Sequence, residues 1–129
     1  MSEPTAELLQ LNERLLESIA LGDWAAYQEL CDPQLTCIEP ESHGQVVEGL
    51  PFHHFSFDLG GIPGRHLTTV CDLKVRLMGD VAVLAYVRLV QRLDEAGAAV
   101  TVATAETRVW QRRDGRWRHV HFHRSALGC

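Results

Sequence analysis

A chain of 129 residues with 46% hydrophobic and 22% charged content is long enough to bury a core, and it reads as one domain over residues 1–129. Its formal net charge is −5 and Lys74 is its only lysine, which argues against a phosphate-backbone binder and hence against nucleic acid as a partner. The acidic start, Met1 to Glu7, lacks the apolar stretch of a signal peptide, and the longest apolar run, Val81 to Val87, is far short of a membrane span, so a cytoplasmic protein that makes no membrane contact is expected.

Residues 4–21 place Leu8, Leu11, Leu15 and Ile19, with Leu9 and Leu16, at helical spacing, and Gly22 stops the helix. Asp23 caps a second helix over 24–30, and Asp32-Pro33 forces the chain out of the α region. A short strand over 34–38 leads into the polar loop Glu39-Pro-Glu-Ser-His-Gly44. Residues 48–59 carry a third helical stripe of Leu50, Phe52, Phe55 and Leu59. Gly60 to Gly64 breaks this helix into a mobile loop. From His66 onward the pattern is β: strands over 66–77, 81–93, 100–111 and 117–125, with turns at 78–80, 94–97 and 113–115. Helices followed by an antiparallel meander give an α+β domain, with a curved sheet wrapped around the first helix.

Four cysteines, Cys31, Cys37, Cys71 and Cys129, show no metal-type spacing and read as buried free thiols of a reducing compartment. Neither a cofactor nor a resident metal is expected.

Three arginines on strand segments carry the functional lead: Arg88, Arg108 and Arg124, each among apolar neighbours. A guanidinium keeps its proton in a protein, and burying one uncompensated costs several kcal/mol, roughly. Three that converge demand an anion. A hairpin centred on 96–97 pairs residues whose numbers sum to about 194, setting Arg88 opposite Glu106 and Tyr86 opposite Arg108. The next hairpin is open to two registers. A two-residue Asp-Gly turn sets His121 beside Arg108. A three-residue loop brings Val120, Phe122 and Arg124 to the Arg108 face, and this register is preferred because it builds one mixed aromatic and charged lining. Its other face is then Val81, Val83, Ala85, Val87, Leu89, Ala103, Ala105, Val109 and Trp117 with His119, His121 and His123. That face is too apolar to stay wet, so a homodimer through the outer sheet face is expected.

The segments Ala20 to Trp24, Tyr27 to Glu41, Val47 to Gly49, Phe52-His53, Glu106 to Trp117 and Val120 to Ser125 closely resemble the association (hub) domain of calcium/calmodulin-dependent protein kinase II. The resemblance spans about residues 6–126. It implies the nuclear transport factor 2-like (cystatin-like) cone, with a long N-terminal helix packed in a curved antiparallel sheet. It implies pairing of subunits through their sheets and closure of pairs into rings. It also implies a cavity in which arginines bind a small carboxylate; by motif match these are Arg88, Arg108 and Arg124, with His53 as the cavity histidine. Tyr86 and Glu106 complete the expected ligand-binding set. Ser56 stands where the family usually carries Tyr, and no kinase activity is expected of this chain. Stand-alone relatives look bacterial.

Two further readings complete the sequence picture. His119, His121 and His123 alternate onto one strand face and fit an interface better than tetrahedral zinc, being in a row on a flat strand. The related isomerase- and polyketide cyclase-like (SnoaL-like) cones suggest an alternative, catalysis on a carboxylated substrate in the same cavity with His53 or Glu106 as base. The cationic lining favours anion binding over that chemistry.

Overall fold

The computed structural model describes residues 2–128; Met1 and Cys129, and with Cys129 the expectation for its thiol, lie outside the described residues. Helix α1 spans Glu3–Leu21, α2 Trp24–Leu30 and α3 Pro51–Asp58. The strands are β1 Cys31–Ile38, β2 Val47–Glu48, β3 His66–Met78, β4 Val81–Leu93, β5 Ala99–Arg113 and β6 Arg116–Ala126. They form one sheet in the order β2-β1-β6-β5-β4-β3, antiparallel except where β1 runs parallel to β6. The expected α+β order holds.

Helix α1 is started by Ser2, whose hydroxyl accepts from the Thr5 N–H, and ended by Gly22 in the left-handed conformation. Its leucines Leu8, Leu15 and Leu16 are buried in the core with Leu84, Trp110 and Phe122 of the sheet. Asp23 caps α2 through the Ala26 N–H. The 60–64 loop, expected to be mobile, is seated on the end of α1. The Ile62 N–H donates to the Ala20 carbonyl at 2.7 Å. A Cβ on Gly61 would lie 2.3 Å from the Leu21 carbonyl carbon and 2.4 Å from the Ala20 oxygen. Gly61→Ala is therefore expected to lose about 1–3 kcal/mol of stability by overpacking against backbone that cannot rotate away. A urea midpoint equal to wild type would show that the loop lifts off freely.

Both hairpin registers differ from expectation. In the β4–β5 pair the sum is 192: Tyr86 faces Glu106, Arg88 faces Thr104 and Leu84 faces Arg108. The shift of two residues comes from a wider loop. Asp94 accepts from the Ala96 and Ala98 N–H groups, so the ladder closes at Leu93–Ala99. The face assignment survives because the shift is even.

In the β5–β6 pair both alternatives occur in succession. Asp114 and Gly115 adopt positive φ in a two-residue turn, and Trp110 faces His119. A bulge at Val120 then resets the register, so Arg108 faces Phe122 and Glu106 faces Arg124. The consequence is a correction: Trp117 and His119 lie on the inner face, both buried, while His121 and His123 stay on the outer one. The three histidines do not share a face.

The third helix is also corrected. It begins at Pro51, and its buried residue is His53. Of its apolar stripe, Phe52, Phe55 and Leu59 are exposed, Phe55 by 71% and Leu59 by 76%. Phe57 packs on the core instead.

Candidate functional site

The inner sheet face carries a buried layer of charge. β4 supplies Tyr86 and Arg88, β5 supplies Thr104, Glu106 and Arg108, and strand alternation sets all five on the side facing α1. Glu106 is the centre. Its Oε1 accepts from Tyr86 Oη at 2.8 Å and from Arg108 Nε and Nη2 at 3.0 Å each. Its Oε2 accepts from Arg88 Nη2 at 2.7 Å and Thr104 Oγ1 at 3.1 Å. Burial alone would raise this carboxyl, but Arg108 and Arg88 overcome it and hold the group at about 2. Glu106 is thus a weak proton acceptor.

Arg108 is 1% exposed and lies with its guanidinium carbon 4.6 Å from the Phe122 ring centre. Burial opposes its charge, yet Glu106 more than compensates and its pKa is raised. For Arg88 burial prevails and the pKa is lowered, although a guanidinium remains protonated.

Asn12 completes the layer. Its Nδ2 donates to Tyr86 Oη at 3.1 Å and its Oδ1 accepts from Trp110 Nε1 at 3.2 Å. Sequence reasoning passed over this residue, although a polar side chain four after Leu8 and three before Leu15 breaks the apolar stripe of α1 and was a readable signal. Buried polar groups without partners are costly, so an asparagine there implies a buried polar layer opposite it.

A second cluster surrounds Arg124. Its Nη2 donates to Glu39 Oε1 at 3.0 Å and also pairs with Glu41. Glu39 Oε2 faces His53 Nδ1 at 3.5 Å and accepts from the Cys37 thiol at 3.6 Å. His53 is buried. Burial lowers its pKa, Glu39 opposes that, and Arg108 and Arg124 reinforce it, so the imidazole is neutral at pH 7. Its Nε2 has no hydrogen-bond partner.

The two clusters meet in a cavity of about 200 Å³ lined in part by His53, Arg88, Arg108, Arg124, Glu39 and Glu41. The three arginines and His53, spread over four elements in the sequence, are brought together. Tyr86 and Glu106 are not on the cavity wall. They form the layer that supports Arg88 and Arg108. Three guanidiniums are matched by three carboxylates, Glu106, Glu39 and Glu41, so the arginine charge that seemed to lack partners is balanced within the chain.

Cys37, Glu39 and His53 have donor atoms within 4.8 Å of one another, a grouping that sequence reasoning did not foresee. As a metal cage it fits poorly. Burial, with Glu39 beside it, pushes the Cys37 thiol up to about 12, and Arg108 and Arg124 add positive potential at His53. The set reads as hydrogen-bonded support for Glu39. His119, placed inside by the Val120 bulge, lies 3.4 Å from both Cys31 Sγ and Arg108 Nη1; burial and Arg108 lower its pKa well below the usual value.

The sequence pattern of the calcium/calmodulin dependent protein kinase II association domain matches residues 4–128. The calcium/calmodulin-dependent protein kinase type II alpha chain of Drosophila melanogaster is 45% identical over 125 residues, covering 93% of this chain and 23% of that protein. This chain thus spans about a quarter of the length of such relatives. The hub homology domain of this kinase from Chlamydomonas reinhardtii superposes with a TM-score of 0.90 at 45% identity, covering 98% of this chain and 100% of that one. A nuclear transport factor 2-like protein from Cytophaga hutchinsonii superposes with a TM-score of 0.78 at 21% identity, covering 98% and 100%, and shares the fold.

Proposed function

The chain belongs to the calcium/calmodulin-dependent protein kinase II association-domain family, and on that premise we propose that it is a self-associating, hub-like domain of the cytoplasm with a small anion-binding cavity. The observation that carries the first part is the outer sheet face. Val83, Ala85, Val87, Ala105 and Val109 form its middle, beside Thr107 and His121, and each is only partly buried within the subunit. A face of that kind is stabilised by burial against a copy of itself, which gives a homodimer; dimers then build a ring. The names of the relatives, association domain and hub, point the same way.

The second part rests on Arg124. Arg124 lies on the cavity wall with Arg88 and Arg108, and a guanidinium is the side chain best matched to a carboxylate. The volume is below the range of about 300–1,000 Å³ for drug-sized ligands, which limits an occupant to a small carboxylate. The reading is one of binding, with no step of catalysis.

Native mass spectrometry of the untagged protein tests association: the expected mass is a multiple of the 14.5 kDa subunit. Fluorine NMR of trifluorobutyrate tests the cavity: its signal should broaden with wild type and not with Arg124→Ala. A mass of one subunit overturns the hub reading. Equal broadening with both proteins removes the anion from the cavity.

A further inference from the structure

The cavity proposed above to bind an anion already holds a carboxylate of the chain's own, on Arg124. The two glutamates that meet this arginine differ in kind. Glu39 is buried, accepts from Cys37, faces His53, and has its backbone N–H and carbonyl tied to the Ser42 hydroxyl. It is fixed. Glu41 sits one residue into the single 3₁₀ turn Pro40–Ser42, and its side chain is half exposed. Among the described residues, Arg124 is the only hydrogen-bond or ion-pair partner of its carboxylate.

The charge count gives this contact its meaning. With Glu41 in place the three arginines are matched by Glu106, Glu39 and Glu41. With Glu41 swung into solvent, Arg124 keeps only Glu39 Oε1, and the cavity carries one cation in excess. An arriving monocarboxylate restores the balance without leaving a buried charge unpaired. The exchange is one carboxylate for another, and the displaced group is already half in water.

We propose that Glu41 is a built-in competitor: its carboxylate occupies Arg124 until a short-chain monocarboxylate displaces it. This rests on the anion-binding reading of the same cavity. The tether also indicates the ligand class. Glu41 presents its carboxylate on two methylenes, so the space beside Arg124 accepts a carboxylate with a short aliphatic tail. Neutral amides and cations gain nothing from the exchange.

A competitor of this type lowers apparent affinity by the fraction of molecules in which it is released. A half-exposed ion pair is weak, so that factor is modest. Trifluorobutyrate titrated into the full chain and followed by fluorine NMR should bind Glu41→Gln about two- to fivefold more tightly than wild type. Glu41→Ala should shift in the same direction, and adding Arg124→Ala to either should abolish binding. Equal or weaker binding by both Glu41 variants overturns the competitor and leaves the anion site standing. No binding by wild type or by either Glu41 variant overturns both the competitor and the anion site.

Discussion

Glu106→Gln is expected to remove about 3–5 kcal/mol of folding stability at pH 7, the range for breaking a buried ion pair from one side. The cause is what remains behind. Arg88 and Arg108 keep their charge, while the amide offers a neutral oxygen and two protons that point at guanidiniums. A typical domain is stable by about 5–15 kcal/mol, so this one substitution takes a large share. Acid should have a related effect on the wild type. The Glu106 carboxyl is held at about 2 in the folded chain against 4.5 when free. A group lowered on folding stabilises the fold above its unfolded pKa and loses that contribution as pH falls through the folded one. Glu106 should therefore contribute about 3 kcal/mol above pH 5 and lose it steadily on acidification. Urea unfolding followed by tryptophan fluorescence, at pH 7 and at steps down to pH 3, reads both effects. The variant should start lower and depend less on acid. A variant as stable as wild type at pH 7 would mean that the two arginines find other partners and that Glu106 is not the keystone of the layer.

The same residues show how far the sequence could be read. Strand alternation put Tyr86, Arg88, Glu106 and Arg108 on one face, and this survived a register error because the error was even. What alternation does not contain is the position of a bulge. Val120 is an ordinary strand residue, and nothing local marks it as the one left unpaired; the turn at Asp114-Gly115 and the need to face Phe122 toward Arg108 set two registers that only a bulge reconciles. His119 and Trp117 changed faces for that reason. Helix α3 misled in another way. Its stripe of Phe52, Phe55 and Leu59 is regular, but a regular stripe states only that one face is apolar, not which body covers it. Its buried member, His53, is held in place by Glu39 and by aromatic neighbours such as Tyr27 and Phe122, contacts distant in sequence. Charge balance was least legible. Glu39 and Glu41 stand in a loop more than 80 residues before Arg124, and only the parallel pairing of β1 with β6 brings them beside it.

Val87→Asp is expected to dissociate the assembly into folded single subunits. Val87 sits in the middle of the outer face, between Cys71 of β3 and Ala105 of β5. In the isolated subunit its side chain is half-buried at a surface, so an aspartate there can turn to water and the fold should persist. In a two-fold pair of sheets the same patch meets itself, so each new carboxylate enters a dry interface and approaches its symmetry mate. Burying such a charge without a partner costs several kcal/mol, roughly, which weakens association on the order of a hundredfold or more. Sedimentation velocity should show one sharp species of subunit mass, with the circular dichroism of wild type. An unchanged assembly mass would overturn pairing through the sheets. It would then direct attention to the other uncovered apolar surface, Phe52, Phe55 and Leu59 of α3. That surface lies beside the mouth of the arginine cavity, since Phe52 lines both, so association and anion binding would be linked through α3 rather than separated by the thickness of the sheet.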